Sequence, residues 1–497
     1  MNPDGAHPIL SCAGTQAVED DLYGGDEEKA WDAMQRAGHA VAEGVARDFR
    51  ELGRFPRDSR ILVLVGKGHN GGDALIATSA ILSRFSQSIA EVVFVTGTNS
   101  LKPLAQRAWQ DLQNELGPRV KPISGGAITG KYAVSIDGIF GFQFRAPLRE
   151  DALAVIQAAN QCSVTLRAAV DLPSGLAEAG AFCADFTYAT GVVKTPLLSI
   201  PNAGRLRYLD LGFFDNSSEH AGDDFVLTDS ILNPLRGWRD PQTDKRKQGH
   251  LFVIAGSRAY PGAALMAVMA ALRSGAGLVT AFVPESLVPA FAAQVPEAIW
   301  VGWPETPEGG LALEGQHLLA ERLVRASALV IGPGMGREPE TLVLAADIVK
   351  TVKVPVLVDA DALQKDVIAG SHNGLVLTPH AGEFVRIAGD RGLREYAAEM
   401  NATVVLKGPV TQISSGQEIY HSLFGGPMLA RGGSGDLLAG MIGAQLALTP
   451  QDTLGATCRG VAWHGMAADA LARKHGATAV RTTQLLDFLA GILRIRS

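Results

Sequence analysis

Short apolar runs that end in glycine or a polar turn, with helix-patterned stretches between them, constrain this chain more than any other feature. ILVLV (61–65), EVVFV (91–95), AVSI (133–136) and RAAVDL (167–172) form one series. LFVIAG (251–256), LVTAFV (278–283), ALVIG (328–332), VPVLVD (354–359), GLVLT (374–378) and TVVLKG (403–408) form a second. Segments such as ALIATSAILSRF (74–85) and LAQRAWQDLQNEL (104–116) lie between them with apolar residues at helical spacing. Strands that are apolar throughout need cover on both faces, and alternating helices supply it. A parallel α/β sheet is therefore expected in each half.

With 497 residues the chain exceeds what one core serves, so two domains are expected. The segment DNSSEHAGDDFVLTDSILNPLRGWRDPQTDKRKQGH (215–250) is polar and broken by Pro and Gly. It places the boundary at about 225–245 and gives domains 1–228 and 229–497. EEKAWDAMQRAGHAVAEGVARDF (27–49) reads as a packing helix. The richest apolar stretch, GAALMAVMAALRSGAGLVTAFV (262–283), carries Arg273 and late glycines, and reads as a buried helix running into a strand.

A net charge of −7, from 44 basic and 51 acidic side chains, argues against gripping nucleic acid or an anionic membrane. It leaves open small anions bound at helix N-termini. Cys12, Cys162, Cys183 and Cys458 are scattered without a C-x-x-C pair, so neither a disulfide framework nor a zinc site is expected. The opening MNPDGAHPIL lacks the basic-then-apolar pattern of a signal peptide. A soluble, cytoplasmic protein is expected.

GKGHNGGD (66–73) follows a strand directly and opens a helix. Gly66-x-Gly68-x-x-Gly71 spells the dinucleotide fingerprint in the right setting. Two details oppose a redox role. EVVFV runs into Thr96-Gly97 with no acidic residue to hold a ribose, and Asp73 would repel a pyrophosphate. A Walker loop is excluded, because Gly72-Asp73 stands where Lys-Ser/Thr is required. The Asn-Gly-Gly-Asp ending suits hydrogen bonds to hydroxyls and amides, or oxygen coordination of a cation. A tight turn with Asp73 capping the helix fits the same residues. SIDGIFGFQFR (135–145) puts Asp137 after the next strand, and AAVDLPSGL (168–176) puts Asp171 before a Pro173-Ser174-Gly175 turn. At the carboxyl edge of an open sheet these loops meet, and a polar site is expected there.

These segments, with ADFTYATGVVKTPLL (184–198) and AGRLRYLDLGFF (203–214), resemble the NAD(P)H-hydrate epimerases. That family interconverts the R and S forms of hydrated NADH and NADPH and uses a potassium ion. The resemblance implies a Rossmann-like three-layer α/β domain. It implies substrate contacts from His69, Asn70, Gly71, Gly72 and Asp73, from Gly141, Phe142, Gln143, Phe144, Arg145, Ala146 and Pro147, and from Asp171 as acid/base. Potassium ligands are implied at Asn70, Asp137 and Ser174, whose oxygens suit a hard ion. The family usually has Asn at the place of His69, Gly at that of Ala74, and Gly-Thr-Gly where this chain has Gly141-Phe142-Gln143.

In the second half, GGPMLARGGSGDLLAGMIGAQLAL (425–448) feeds Gly432-Gly433-Ser434-Gly435 and Asp436 into an apolar helix. Bare N–H groups at that start make an anion hole for a transferring phosphoryl group. Asp436 is placed to take a proton from an attacking hydroxyl. Alone, the motif would read as a glycine turn with an Asp cap. It is accompanied by HLFVIAGS (250–257) leading to Ala263, by GPGMG (332–336), by LTPHAGE (377–383) with His380 and Glu383, and by VVLKGPVT (404–411).

In order and spacing these motifs, with VLVDADAL (356–363), resemble the ribokinase-like NAD(P)H-hydrate dehydratases over residues 245–497. The resemblance implies a ribokinase-like three-layer α/β fold. It implies ADP-dependent dehydration of the S hydrate (ATP in some relatives), with Mg2+ accompanying the nucleotide and AMP and phosphate as by-products. Asp436 would deprotonate the ring hydroxyl, which attacks the terminal phosphoryl group. Nucleotide contacts are implied at Lys407, Gly408, Pro409, Val410, Thr411 and Gly435. Ala263, Gly334, Gly336, His380 and Asp436 are implied to face the hydrated cofactor, and Arg431 either adds charge near the phosphates or is simply exposed. The expected partners are small molecules, and a homo-oligomer is expected. Two other readings stay open: a kinase of a small hydroxylated metabolite using the same Asp, and a first domain that binds without catalysing.

Overall fold

The first series of apolar runs forms strands because both faces of each are covered. Ile61, Val63 and Val65 pack with Trp31, Val41 and Leu75 on one side of the sheet. Leu62 and Leu64 pack with Tyr132, Ile156 and Phe182 on the other. The computed structural model describes residues 5–215, 222–370 and 374–494. Their contacts divide the chain into a first unit, His7–Gly222 with Ala472–Gly476, and a second, Asp223–Leu471 with Met1–Ala6 and Ala477–Ser497. Part of the expected linker, 216–221, lies outside the described residues.

Among the described residues the main sheet of the first unit has seven parallel strands: β1 (Arg60–Val65), β2 (Ile89–Phe94), β3 (Val120–Pro122), β4 (Lys131–Gly138), β5 (Ser163–Val170), β6 (Phe186–Thr190) and β7 (Arg205–Leu209). Their order is β3-β2-β1-β4-β5-β6-β7. The chain reverses direction across the sheet between β1 and β4, which is where an open α/β sheet presents its crevice. Helices α1 (Cys12–Tyr23), α2 (Glu27–Asp48), α3 (His69–Arg84), α4 (Pro103–Leu116) and α5 (Glu150–Gln161) surround it. The helix expected from residue 74 begins instead at His69, with Gly68 as its cap. Two glycines in a first turn oppose a helix by propensity, and here close packing overrides that. A Cβ on Gly71 would lie 2.2 Å from the Gly66 carbonyl oxygen, and one on Gly72 would lie 2.4 Å from Met34 Sδ.

The second unit holds ten strands: β8 (Asp224–Leu227), β9 (His250–Ile254), β10 (Leu278–Pro284), β11 (Ile299–Trp303), β12 (Ala328–Ile331), β13 (Val356–Val358), β14 (Leu375–Leu377), β15 (Ala402–Leu406), β16 (Thr411–Ser414) and β17 (Ile419–Ser422). They run in the order β11-β10-β9-β12-β13-β14-β15-β16-β17-β8. The sheet is not wholly parallel as expected, because β15, β16 and β17 form an antiparallel meander. Residues 223–228, placed in the first half by sequence, instead supply β8, which pairs parallel to β17. β16 and β17 are short and half polar, whereas β8 is a short buried run whose Phe225 stacks on Tyr420 of β17.

Two helices pack side by side against the central strands: α6 (Pro261–Arg273) and α8 (Ser434–Leu448), with α7 (Ala381–Ala388) following β14. Helix α8 is apolar nearly all round, as a helix buried on most sides must be. Glycines set its depth. A Cβ on Gly440 would stand 2.1 Å from the Ala267 carbonyl oxygen on α6, and one on Gly443 would stand 2.4 Å from Val330 Cγ2 on β12. Among the described residues no helix is long and apolar enough to cross a membrane. Gly440→Ala is expected to destabilise the second unit by about 1–3 kcal/mol through overpacking, read as a lower midpoint in thermal or urea unfolding.

Candidate active sites

At the carboxyl ends of β1, β4 and β5 the first unit opens onto a cavity of about 370 Å³. His69, Asn70, Asp73, Gly141, Phe142, Gln143, Phe144, Arg145, Pro147 and Asp171 all line it. Gly71 and Gly72, expected to touch substrate, do not, because their Cα faces are taken up by packing on the β1 turn and on α2. Ala146 is likewise not part of the wall. Gly66 lets the two sides of the crevice meet, since a Cβ there would fall 1.8 Å from the Ile139 carbonyl oxygen. No side chain caps the N-terminus of α3, so its first-turn N–H groups are available to a ligand.

Asp171 follows β5 in the left-handed region (φ 65°), where a non-glycine residue is strained by about 1–3 kcal/mol. Its Oδ1 accepts from Lys194 Nζ in a short contact and from Thr190 Oγ1 at 3.3 Å. Lys194 is fully buried and also donates to the Thr190 carbonyl at 3.1 Å. Phe142 lies over that ammonium, with the ring centroid 5.8 Å from Nζ. Asp73 is buried, and desolvation with the neighbouring Asp171 and Glu19 carboxylates pushes its carboxyl well above the usual range.

Beneath the cavity Asp137 is wholly buried. It accepts from Ser174 N and Ser174 Oγ, both at 2.7 Å, and from Ile139 N at 3.3 Å. Burial nevertheless raises its carboxyl to about 6. The Asn70 amide donates to the carbonyl oxygens of Phe140 and Val170 at 3.0 Å. Ser174 Oγ also accepts from Phe140 N at 2.9 Å. Asn70, Asp137 and Ser174 thus belong to one oxygen-rich knot tying the ends of β4 and β5 to α3.

In the second unit the glycine run puts Gly433 at φ 88° as the cap of α8, again with no side-chain cap. A Cβ on Gly435 would lie 3.5 Å from Lys407 Nζ and 3.9 Å from Asp359 Oδ2. Lys407 donates to Asp359 Oδ1 at 3.0 Å, and Thr378 Oγ1 donates to the same oxygen at 2.7 Å. Burial pulls the Lys407 ammonium down, but Asp359 beside it holds it above its usual value. Asp436 is pushed up to about 6, first by desolvation and then by Asp359, against the pull of Lys407.

Lys407, Gly408, Pro409, Val410 and Thr411 make the turn from β15 into β16. His380 pairs with Lys407 through a parallel backbone bridge and so stands beside it. Its Nδ1 caps α7, accepting from Gly382 N at 3.0 Å and Glu383 N at 3.3 Å, while the ring stays 61% exposed. Gly334 abuts the first turn of α6, where a Cβ would lie 2.8 Å from Ala263 Cβ. Gly336 N donates to Asp361 Oδ2 at 3.1 Å. Arg431 neither reaches for phosphate nor stands free. Its guanidinium donates to the carbonyls of Ala477, Thr478 and Val480 and clamps that segment against the glycine run.

The chain matches two family models: YjeF-related protein N-terminus over residues 32–196, and NAD(P)H-hydrate dehydratase over 251–490. A bifunctional NAD(P)H-hydrate repair enzyme of Moorella thermoacetica is 34% identical over 496 residues, spanning 93% of this chain and 92% of that protein. One from Gloeobacter violaceus is 34% identical over 500 residues, spanning 92% and 93%. The chain belongs to the bifunctional NAD(P)H-hydrate repair enzyme family. A solved ADP/ATP-dependent NAD(P)H-hydrate dehydratase from Bacillus subtilis, co-crystallised with ATP and Mg2+, is 30% identical over 51% of this chain and 92% of its own, with a TM-score of 0.43.

For this member of the repair-enzyme family the sequence had pointed to most of the carboxylates and to Lys407, but not to Lys194, the counter-charge of Asp171. Lys194 sits 23 positions beyond Asp171 and reads as an ordinary surface lysine until the fold buries it. Asp359 and Asp361 were visible only as part of a motif, although each follows a strand as Asp171 does. Lys194→Met leaves the buried Asp171 carboxylate without its partner, at an expected cost of about 3–5 kcal/mol. The double variant Asp171→Asn with Lys194→Met should recover most of that loss in urea unfolding.

Proposed function

We propose that the chain repairs hydrated NADH and NADPH, the first unit epimerising the R and S hydrates and the second dehydrating the S form at the expense of ADP. The observation that carries the second step is Asp436 at an uncapped helix start beside Lys407. A carboxyl raised to about 6 is a base matched to neutral pH, strong enough to take a hydroxyl proton yet ionised at pH 7. The α8 N–H groups and Lys407 supply positive charge where a transferring phosphoryl group gains negative charge. Phosphorylation turns the ring hydroxyl into a good leaving group, and its departure with a ring proton restores the dihydronicotinamide. Mg2+ would arrive with the nucleotide phosphates, held mainly by their oxygens and by water, and would supply further positive charge at the transferring group.

The charge distribution in the first unit supports a dinucleotide substrate there. Lys67, Lys102, Arg145 and Arg149 are exposed on the cavity rim, suited to phosphates, while Asp73, Asp171 and Lys194 lie deeper. That gradient fits a molecule with a neutral reacting ring inside and anionic groups at the mouth. Potassium fits the knot below: Asp137 is a buried carboxylate with no ion-pair partner among the described residues. Asn70, Asp137 and Ser174 would hold the ion, which would supply the missing positive charge and tie the substrate loops together.

A mixture of R and S hydrates with ADP, Mg2+ and potassium tests both steps. Full recovery of reduced-cofactor absorbance is expected, whereas recovery that stops at the S fraction would remove the epimerase from the proposal. Asp436→Asn should slow S-hydrate dehydration by about 10²–10⁴-fold. In the wild type the rate should rise with pH through about 6, because only the ionised carboxylate accepts the proton. A stable phosphate ester accumulating in place of reduced cofactor would favour the kinase reading instead.

A further inference from the structure

We infer that Glu19, on α1, is the second catalytic group of the epimerase site, the acid that works opposite Asp171. The inference rests on the epimerase reading of the first unit. Glu19 lines the same cavity as Asp73, Phe142, Asp171 and Lys194. It is half-buried, and among the described residues its side chain has no hydrogen bond or ion pair. The placement is built in twice. The chain entering α1 runs parallel to Val193–Lys194, with Leu10 in register with Lys194. Gln143 of the substrate loop donates to Gln16 Oε1 at 2.6 Å, latching α1 across the mouth.

The groups facing Glu19 decide its proton. Asp20 stands on its own helix, with Asp73 on α3, Asp171 after β5 and Lys194 beyond β6. Lys194 is committed to Asp171, so Glu19 faces two carboxyls without a cation of its own. Desolvation holds it at about 7 against the pull of Lys194, with Asp171 and Asp20 adding to the rise. Asp73 is more deeply buried than Glu19, which leaves it fewer routes for exchanging protons with solvent. A carboxyl held at about 7 and a carboxylate in direct contact with a lysine, in a single pocket, make an acid/base pair.

Hydration of an enamine puts the hydroxyl on the carbon beside the ring nitrogen. Glu19 gives its proton to that hydroxyl as the C–O bond breaks, and water leaves with the bonding pair. The nitrogen lone pair forms the C=N bond. Water then adds to the opposite face, the C=N pair returns to nitrogen, and the surplus proton passes to Asp171. Exchange with solvent resets both carboxyls, and nothing is oxidised or reduced.

The test supplies R hydrate alone to the full chain with ADP, Mg2+ and potassium, so that reduced cofactor appears only after epimerisation. Wild-type turnover should fall on the alkaline side near pH 7. Glu19→Gln should lower R-hydrate turnover by about 100-fold or more and abolish that alkaline limb. Glu19→Asp should restore part of both, and S-hydrate dehydration by the same proteins should be unchanged. Glu19→Gln turnover close to wild type, or loss of the limb in Asp73→Asn but not in Glu19→Gln, would overturn the assignment. A wild type that leaves R hydrate untouched while dehydrating S hydrate would overturn the epimerase reading, and this inference with it.

Discussion

Both sites depend on one constraint, the close approach of an uncapped helix N-terminus to the carboxyl edge of a sheet. An uncapped start leaves several N–H groups aimed outward, which is what an anionic or strongly polar ligand needs. It can stand over strand ends only where side chains do not hold the backbones apart. In the first unit Gly66 and Gly71 permit this; in the second, a Cβ on Gly332 would fall 2.0 Å from the Asp359 carbonyl oxygen, and Gly440 seats α8 on α6. At Gly66, Gly71 and Gly440 contact distance, not a positive φ, is what requires glycine.

Given that geometry, charge decides the chemistry. Each pocket sets one buried lysine against several carboxylates: Lys194 with Asp171, Asp73 and Glu19 in the first unit, and Lys407 with Asp359, Asp361 and Asp436 in the second. A single cation in a poorly solvated space cannot keep all of them ionised. Asp73, Glu19 and Asp436, which lack direct contact with the ammonium, are pushed up. Distance to one ammonium thereby sets these carboxyls apart before any substrate arrives.

The strands of both units were legible in the sequence because they are buried on both faces and therefore read as unbroken apolar runs. The meander β16–β17 was not, since TQIS and IYHS are short and half polar and take their order from pairing with β15. The start of α3 was hidden by glycines that propensity alone counts as breakers. Asp137, Asp171 and Asp436 could be picked out because they follow strands or open a helix. Lys194 and Glu19 could not. A lysine and a helical glutamate acquire chemical meaning only from what the fold brings near them, and in sequence each looks like a solvated charge. Arg431 shows the converse: its place beside the glycine run suggested phosphate, yet its donors are spent on backbone carbonyls.

The different proton inventories of the two pockets follow from the reactions proposed for them. Exchanging faces at a hydrated carbon is symmetric, so the site must donate a proton on one side and accept one on the other. A carboxyl near neutrality and a carboxylate locked to lysine satisfy both demands without a co-substrate. Dehydration through a phosphate ester is directional. The nucleotide makes the leaving group, so the protein needs one base to start the attack and fixed positive charge to receive the phosphoryl group. A second acid carboxyl there would only add negative charge against the incoming phosphates. The second pocket accordingly spends Asp359 on Lys407 and Asp361 on Gly336 and Arg337, leaving Asp436 as the group that works.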